Sequence, residues 1–373
     1  MTSAFDVVIV GAGIAGCACA REMTEAGVQV AIIDHSPPGS GVTAAGMGHI
    51  VTMDDSPAQL ALTHYARSLW RKLSAELPAA VEYEERGTLW IAADDEEMAQ
   101  VHAKHITCTR AGIPSEVLDG PALAEAEPHL RRGLSGALLV SDDAVLYPPA
   151  AARFLLQTAE RRGARVLHAA VTRAGAGVVT LADGTTLASD HIVIATGADT
   201  NLVPWLRLKK RKGHLVITDR YPGFVRHQLV ELGYLRSAHS TTSDSVAFNI
   251  QPRITGQLLI GSSRQYQQED TTADAAIIDR MLRRAYEYMP QLASLSAIRV
   301  WTGFRAATAD KLPLIGPTQD PTLYLLAGFE GLGITVAPAA ARLLVDHLLA
   351  RKPAIEPAPY LPQRAARTEG ILA

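Results

Sequence analysis

The feature that most constrains this chain is a glycine-rich turn near its beginning, in the stretch VVIVGAGIAGCACA at residues 7–20. The apolar run from Phe5 to Val10 is typical of a buried parallel strand. Gly11 permits a tight bend, Gly13 lets backbone N–H groups approach a pyrophosphate, and Gly16 lets the following helix pack close to the strand. The amides and the dipole at the N-terminus of that helix would then bind the anion.

An acidic residue stands where a dinucleotide-binding fold requires one. The helix after the glycine turn is predicted to run to about Ala26, because Gly27 is a natural stop. A second strand, Val28 to Ile33, follows, and Asp34 stands at its end, where an acid binds the ribose hydroxyls of an adenosine. These elements together predict a dinucleotide ligand rather than a glycine turn without one. The acid also disfavours NADP, whose 2′-phosphate it would repel.

Length and charge limit the remaining possibilities. A chain of 373 residues is expected to form two interleaved domains. The formal net charge of −3 gives no basic field that would recruit nucleic acid or an anionic membrane. No apolar run in the sequence is long enough to span a bilayer, so no integral membrane segment is expected. The basic cluster at residues 209–212 is interpreted as a solvated loop rather than a docking patch.

The cysteines indicate the compartment. Cys17, Cys19 and Cys108 suggest no disulfide framework, and three thiols cannot hold a four-thiolate iron–sulfur cluster. A reducing, cytoplasmic setting is therefore expected. We predict no metal site.

The segment after the second strand distinguishes between classes of dinucleotide ligand. SGVTAAGMGHIV, residues 40–51, is small, glycine-rich and low in charge. Nicotinamide dehydrogenases do not usually need such a loop. Amine-oxidising flavoproteins use one to pass the backbone along the FAD diphosphate. Here the sequence resembles the D-amino-acid oxidase superfamily, in its glycine oxidase and sarcosine oxidase branch.

Later segments extend this resemblance over nearly the whole chain. HIVIATGADTN at 191–201 is similar to a strand and turn that pass near the cofactor, and WTGFRAATADKLPLIGP (301–317) and LYLLAGFEGLGITVAPAAARLLVDHLL (323–349) are similar to the family's closing segments. VVTLADGTTLASD places Asp183-Gly184 between alternating runs, which predicts a hairpin. The resemblance implies an α/β protein. It would have an FAD-binding Rossmann-like domain of the glutathione-reductase type and an inserted α+β substrate domain with an antiparallel sheet.

The resemblance also implies how FAD is held. Relatives that bind flavin covalently use a C-terminal cysteine or a histidine at the place of Thr43; because this chain has no cysteine after Cys108, a noncovalent FAD is expected. The final helix would point its N-terminus at the pyrimidine edge of the flavin. The implied cofactor-binding residues are Gly11, Gly13, Ile14, Ala15, Gly16, Asp34, His35, Ser40, Gly41, Thr43, Ala44, Ala45, Gly46, Met47, Val171, Thr196, Gly197, Gly303, Phe329, Glu330, Gly331, Leu332, Gly333, Ile334 and Thr335.

The family reaction oxidises a C–N bond beside a carboxylate, and the Cα hydrogen leaves as a hydride to flavin N5. Hydride transfer from a neutral amine needs no strong general base. The site does need a cation for the substrate carboxylate. Arg305, in GFRAAT, matches the family's carboxylate-binding arginine, and a guanidinium can grip a carboxylate with two parallel hydrogen bonds. A purely structural arginine is the alternative.

The substrate end of the site departs from the glycine oxidase pattern. Where that pattern has a second arginine, this chain has Gly331, preceded by Glu330. Glu330 is expected either to bind a substrate ammonium or ring hydroxyl, or to face away and cap its loop. A substrate-binding tyrosine of the pattern aligns near Asn249. His49 and Tyr234 are further candidates for substrate contact, with a loop histidine and a core tyrosine as the alternatives.

Three segments carry a closer likeness within the superfamily. GMGHIVTMDDSPAQLAL (46–62), NIQPRITGQLLIGSSRQY (249–266) and GFEGLGIT (328–335) are similar to catalytic subunits of D-hydroxyproline dehydrogenases and opine-oxidising enzymes. The leading hypothesis is therefore a dehydrogenase of a D-configured secondary amino acid that passes electrons to iron–sulfur and second flavoprotein subunits. The alternatives are a glycine- or sarcosine-type oxidase that uses oxygen, a noncatalytic flavin subunit that relays electrons, and an NAD-binding reductase.

The two domains are expected to interleave along the chain. The FAD-binding domain is predicted at residues 1–75, 145–208 and 302–373, and the substrate-binding domain at 76–144 and 209–301. Alternating runs at 215–218, 246–250 and 257–260 predict an antiparallel sheet in the second domain, and amphipathic patterns at 96–112 and 274–289 predict helices that cover it. The tail from Pro353 onward is expected to be extended and loosely held.

Overall fold

A computed structural model of the chain describes residues 5–233, 244–266, 268 and 270–364, and most of the strands in this part lie in two eight-stranded sheets. The strands of the first sheet are β1 (Phe5–Val10), β2 (Val30–Asp34), β8 (Arg165–His168), β9 (Val171–Gly175), β10 (Val178–Leu181), β11 (Thr186–Ile194), β17 (Leu314–Pro317) and β18 (Leu323–Ala327). Their order is β17-β18-β11-β1-β2-β8, and β9 and β10 continue from β11 as an antiparallel meander.

The first sheet is parallel at its centre and covered on both faces. Strand β1 pairs in parallel with β2 and β11, and its residues Val7–Val10 are at most 4% exposed. Such a continuous apolar run is expected of a strand buried on both faces. The helices that pack together on one face are α1 (Ile14–Glu25), α3 (Pro57–Ser74), α6 (Pro148–Arg161) and α8 (Gly333–Leu348).

The second sheet is mainly antiparallel. Its strands are β4 (Thr88–Ala92), β5 (Glu116–Asp119), β6 (Gly136–Val140), β12 (Lys209–Thr218), β13 (Gln228–Glu231), β14 (Ser245–Pro252), β15 (Leu258–Arg264) and β16 (Ala297–Ala307). Their order is β16-β12-β15-β14-β13-β4-β6-β5, and β13 pairs with β4 in parallel. The remaining elements include a two-stranded ladder of β3 (His49–Ile50) with β7 (Ala144–Val145) and the helices α2 (Val42–Ala45), α4 (Asp95–Arg110), α5 (Gly120–Ala126) and α7 (Ala275–Tyr288).

The amphipathic patterns predicted the two longer covering helices correctly. Helix α4 corresponds to the helix expected at 96–112, and α7 to the helix expected at 274–289, each with small shifts at its ends. Helix α7 buries Ile277, Met281 and Ala285 in the core of the second sheet, at positions that follow the helical period. The three alternating runs lie in β12, β14 and β15, which are neighbours in an antiparallel sheet as expected.

The two sheets draw on different parts of the chain. The first takes strands from residues 5–34, 165–194 and 314–327, and the second takes them from 88–140, 209–264 and 297–307. The proposed boundary between residues 301 and 302 falls inside β16, which pairs with β12 from Ala297 to Ala307. We therefore propose a boundary after β16 in place of that one. No helix in the described ranges has the length and apolar content needed to cross a membrane.

Two expectations were wrong. Residues 209–212 do not form a solvated loop but begin strand β12, where Arg211 is 4% and Lys212 2% exposed. The chain after Pro353 is not loosely held up to residue 364. There Tyr360 is buried and donates to the carbonyl of Ala58, and Arg364 forms an ion pair with Asp310. A side chain that finds an apolar pocket or an acidic partner can anchor a proline-rich segment that has no regular pattern of its own.

Candidate active site

The glycine turn lies at the carboxyl end of β1, at the edge of the first sheet where parallel folds bind ligands. Gly11 has φ +109°, and a Cβ there would lie 2.4 Å from the carbonyl oxygen of Ala195. A Cβ on Gly16 would lie 2.0 Å from the carbonyl oxygen of Gly11, so the turn and the helix touch through their backbones. Helix α1 has no acidic residue in its first turn, and the amide of Ile14 donates to Thr43 Oγ1 at 3.0 Å.

Asp34 is fixed beside this turn. Its Oδ2 accepts from the amide of Ala12 at 2.7 Å and its Oδ1 from the amide of Ser36 at 2.8 Å. Both bonds come from backbone amides, and Nδ1 of His35 lies 3.6 Å from Oδ1 of Asp34. Asp34 lines the cavity described next, and the sequence predicts that it binds a ribose there.

A cavity of about 690 Å³ begins at the glycine turn and extends to the second sheet. At the other end it is lined by Gly331, Gly333 and Ile334 around the start of helix α8, which has no acidic residue in its first turn. Two long helices, α1 and α8, thus bring their positive N-terminal ends to one cavity. These groups fit FAD, which has a diphosphate in its middle and, at the end away from the adenosine, a ring that gains negative charge on reduction. No cysteine lines the cavity among the residues that the structure describes.

Most of the residues proposed to hold FAD line this cavity. Gly16, Ala44, Leu332 and Thr335 do not: Gly16 serves helix packing, and Thr335 Oγ1 donates to the carbonyl of His49 at 2.8 Å. The lining members of the predicted set are Gly11, Gly13, Ile14, Ala15, Asp34, His35, Ser40, Gly41, Thr43, Ala45, Gly46, Met47, Val171, Thr196, Gly197, Gly303, Phe329, Glu330, Gly331, Gly333 and Ile334. Their contacts with FAD remain a proposal.

Arg305 lies in β16 where that strand borders the cavity. Its Nη1 donates to the carbonyl of Ser263 on β15 at 2.9 Å. The guanidinium lies over Gly213 of β12, where a Cβ would come within 2.6 Å of Nη1. Because Gly213 has no side chain, the side chain of Arg305 has room to lie across the sheet above it.

Glu330 occupies the turn before α8 with φ +50°, and it faces inward as well as bonding to its own loop. Its Oε1 is 3.2 Å from Nη1 of Arg211 and 3.8 Å from Nε of Arg264, and its Oε2 accepts from the amide of Gly331. Burial raises the pKa of Glu330, but Arg264, Arg305 and Arg211 outweigh that effect, so its pKa lies below the usual value. Glu330 therefore bonds to its own loop without facing away from the site, and its binding of a substrate group stays a prediction.

The other substrate candidates differ in what the structure shows. His49 lines the cavity, and burial together with Arg253 and Arg305 lowers its pKa to about 3, so the imidazole is neutral. Asn249 also lines it, and its Oδ1 has no hydrogen-bond partner among the described residues. Tyr234 lies outside the described residues.

Sequence reasoning missed Arg211 and Arg264, which stand near Glu330 on strands β12 and β15. The basic run at 209–212 concealed Arg211, because four consecutive charges are typical of a solvated loop. The sequence did carry a signal for the position of Arg211. The alternating run at 215–218, which predicted β12, can be extended backward with period two through Gly213 to residue 211. That extension places Arg211 on the face of the sheet that Gly213 leaves open.

Comparisons with known proteins identify the family of this chain. A family model described as "DAO: FAD dependent oxidoreductase" matches residues 6–347. The chain is 28% identical to a glycine oxidase of Pseudomonas aeruginosa over 375 residues, which cover 95% of this chain and 98% of that protein. It is 25% identical to the hydrogen cyanide synthase subunit HcnC of the same organism, with 98% of this chain and 97% of the relative covered.

A solved structure extends the agreement to three dimensions. The crystal structure of glycine oxidase from Geobacillus kaustophilus superposes with a TM-score of 0.84 at 26% identity, covering 96% of this chain and 98% of that one. The matched family segment runs from the first strand to the final helix and includes the glycine turn, Asp34 and Arg305. The chain therefore belongs to the DAO family of FAD-dependent oxidoreductases.

Proposed function

We propose that this chain oxidises the C–N bond of a small amino or imino acid whose carboxylate is bound by Arg305. As a member of the DAO family, the chain is an FAD-dependent oxidoreductase, and FAD supplies the acceptor for the hydride. The observation that carries the proposal is the position of Arg305, which borders the far end of a cavity whose other end is the dinucleotide turn. A cation at that position would bind the carboxylate of a substrate and so hold the substrate in one orientation within the cavity.

The contacts of Arg305 explain how it would orient a substrate. A guanidinium carries its donors in one rigid plane, and the bond from Nη1 to the carbonyl of Ser263 fixes that plane. A carboxylate bound in a bidentate manner is then fixed in position and in rotation. Lysine offers a point charge without this geometry.

The titratable groups near Arg305 favour a reaction without an enzyme base. His49 is neutral because of burial and nearby arginines, and Glu330 stays ionised in contact with Arg211. A carboxylate already paired with guanidinium groups is a weak proton acceptor. We therefore propose that the substrate enters as the neutral amine.

Which amino acid the chain oxidises is a more specific question than which class of reaction it performs. We propose a secondary amino acid of the D-hydroxyproline type as one candidate, because Asn249 and Glu330 offer polar atoms beyond Arg305 for a ring substituent. Glycine or sarcosine is the second candidate, and the similarity to glycine oxidases supports it. Anaerobic loss of the yellow flavin colour with D- and L-hydroxyproline, proline, glycine and sarcosine would rank them.

The electron acceptor and the assembly are also proposals. We propose a dehydrogenase that passes electrons to iron–sulfur and second flavoprotein subunits. The similarity to HcnC, a subunit by its name, supports an assembly. Steady release of peroxide in air would instead identify an oxidase. A cytoplasmic location is proposed because the three cysteines are free and buried.

Replacing Arg305 tests the proposed function directly. Arg305→Ala should retain FAD and lower the rate of anaerobic flavin reduction about 100-fold or more, because a desolvated charge pair contributes several kcal/mol. Arg305→Lys should recover only part of that loss, since it restores the charge without the planar donors. Stopped-flow absorbance of the flavin measures both.

Two results would contradict the proposal. Unchanged flavin reduction in Arg305→Ala would show that another group binds the carboxylate. Absence of reduction by every amino acid tested with the unaltered protein would instead favour a subunit that only relays electrons. Retention of the flavin absorbance spectrum in each variant separates loss of catalysis from loss of the cofactor.

A further inference from the structure

A bulge interrupts the ladder between β12 and β15. Val216 of β12 pairs with Ile260 of β15, and a bridge further along joins Lys212 to Gln265. Between these two pairs the first strand advances four residues, from 216 to 212, and the second advances five, from 260 to 265. The second strand therefore carries one extra residue in this stretch. Bulges disrupt the ladder locally and re-aim side chains, and they are frequent next to active sites.

Side chains bridge the interrupted stretch. The backbone amide of His214 donates to Oγ of Ser263 at 2.9 Å, and Nδ1 of the same histidine lies 3.0 Å from that oxygen. The carbonyl of Ser263 is the group that accepts from Nη1 of Arg305 at 2.9 Å. Ser263 therefore links the two side chains, because its hydroxyl contacts His214 and its carbonyl contacts the guanidinium that is proposed to bind the substrate.

The second ring nitrogen determines the tautomer of His214. Its Nε2 lies 3.0 Å from the backbone amide of Asp274, which can only donate, so Nε2 is the acceptor. Burial and the nearby Lys212 lower the pKa of His214, so the ring is neutral at neutral pH and carries one proton. That proton is on Nδ1, and Nδ1 donates to the hydroxyl of Ser263.

His214 is held by a rigid part of the fold. Asp274 is the N-cap of α7, where its Oδ1 accepts from the amides of Ala276 and Ile277 at 2.9 and 3.2 Å. His214 itself is fully buried, and it is not among the described residues that line the cavity. Any effect of His214 on a bound ligand therefore passes through other residues, and Ser263 is the one that contacts the guanidinium.

We propose that His214 is a positioning residue for Arg305. Arg305 lies over Gly213, so the next side chain, that of His214, points to the opposite face of the sheet. From that face His214 fixes Ser263 within the bulge, and the carbonyl of Ser263 fixes the plane of the guanidinium. This inference rests on the proposed function, because it takes Arg305 as the group that binds the substrate carboxylate.

The test compares two unreactive ligands of the FAD-loaded protein. Butyrate carries the carboxylate that Arg305 is expected to bind, and butyramide is a neutral molecule of nearly the same size and shape. Titration of each, followed by perturbation of the flavin absorbance, gives two dissociation constants. Their ratio measures the preference for the carboxylate. A variant that only loosens the fold would weaken both ligands alike and leave this ratio unchanged.

Three substitutions of His214 separate its two ring bonds. His214→Phe removes both and should reduce the preference for butyrate about tenfold, as for one charge-assisted hydrogen bond that is no longer aligned. His214→Asn keeps an N–H group near the place of Nδ1 and should restore most of the preference. His214→Gln puts its amide near the place of Nε2, toward Asp274, and should restore little. An unchanged ratio in His214→Phe, or better recovery in His214→Gln than in His214→Asn, would overturn the proposal.

Ser263→Ala tests the same link from its other side, since it removes the hydroxyl and keeps the carbonyl. It should reduce the preference about as much as His214→Phe, and the double variant should lose no more than either single one. Additive losses would contradict a shared route to Arg305.

Thr302→Val is the matched control. Thr302 stands opposite His214 on β16, and its hydroxyl donates to the carbonyl of Thr271 at 2.7 Å, just before α7. This variant loses a bond to the segment that also holds His214, but no bond to Ser263. It should keep the ratio within about twofold of the unaltered protein. A tenfold fall in Thr302→Val would show that any loosening of this segment has the same effect, and the specific role of His214 would be wrong.

Arg305→Ala separates this inference from the proposed function. If this variant keeps the preference for butyrate, Arg305 does not bind the carboxylate and the proposed function fails. If Arg305→Ala loses the preference while His214→Phe and Ser263→Ala keep it, the proposed function stands and the positioning role of His214 is wrong.

Discussion

The two ends of the cavity are built from different material. The dinucleotide end consists largely of backbone, with Gly11, Gly13 and the start of α1 close together in sequence. The arginine end depends on side chains from separate segments: Arg305 of β16 lines the cavity, and Arg211 of β12 and Arg264 of β15 lie beside it next to Glu330, on neighbouring strands. The first end depends on local conformation and the second on register between strands. We therefore expect them to fail differently when altered.

Adding a single methyl group to a glycine should damage the dinucleotide end more severely than the arginine end. In Gly11→Ala the new Cβ would meet the carbonyl of Ala195 at 2.4 Å, at a residue with φ +109°. Both contacting groups are backbone, so neither can move without shifting β1 or β11. We expect the variant to lose FAD and to lose about 3 kcal/mol or more of stability. Urea unfolding and the bound flavin absorbance measure these effects.

Gly163 supplies the matched control for that substitution. It has φ +100°, close to that of Gly11, but a Cβ there would meet nothing within 4 Å. Gly163→Ala should therefore show only the strain of the backbone conformation, about 1 kcal/mol, and keep FAD. Equal losses in the two variants would mean that the turn is sensitive to φ alone and not to contact with the backbone of Ala195, which follows β11.

The arginine end should respond to a methyl group in another way. In Gly213→Ala the Cβ would lie 2.6 Å from Nη1 of Arg305, the mobile end of a side chain. The fold can therefore adapt by displacing the guanidinium, which would lose its bond to Ser263. We expect FAD binding and thermal stability to change little, and kcat/KM for the best amino acid to fall about 10- to 100-fold.

A double-mutant cycle identifies the cause of that loss. If Gly213→Ala acts by displacing Arg305, it should have almost no effect in an Arg305→Ala background, where no guanidinium remains to be displaced. Additive losses would instead show that residue 213 contributes independently of Arg305. The same stopped-flow measurement serves all four proteins.

This difference between the ends also decides what the sequence could predict. The strand, glycine turn, helix and Asp34 follow one another within a short segment, and each was predicted because local geometry determines it. The hairpin at Asp183-Gly184 was predicted for the same reason, and β10 and β11 pair around it. Resemblance to a known family, rather than any spacing, pointed to Arg305.

The rest of the site depends on register, which the sequence does not display. Nothing local to Arg211 shows that it stands opposite Arg305, since that pairing is set by the whole length of β12 against β16. The two readings of Glu330 stayed open because its partners lie on β12 and β15. The anchoring of Tyr360 on Ala58 likewise joins segments far apart in the chain.

The smallest expected effect concerns pH. Three arginines hold the pKa of Glu330 below its usual value despite burial, so it is ionised at neutral pH. Burial lowers the pKa of His49 to about 3, and burial with Lys212 lowers that of His214 below 6.5. None of these groups titrates above pH 6.5. We expect the dissociation constant of butyrate to vary less than about twofold between pH 6.5 and 8.5.

The sign of any change at lower pH distinguishes the groups. Protonation of Glu330 removes a negative charge beside Arg305, and protonation of His49 adds a positive one, so either event would tighten binding of an anion. Weaker butyrate binding between pH 8.5 and 6.5 would therefore come from neither group. A tenfold change within that range would reveal a residue that titrates at the arginine end. It would contradict our expectation that the charge at that end of the cavity stays fixed.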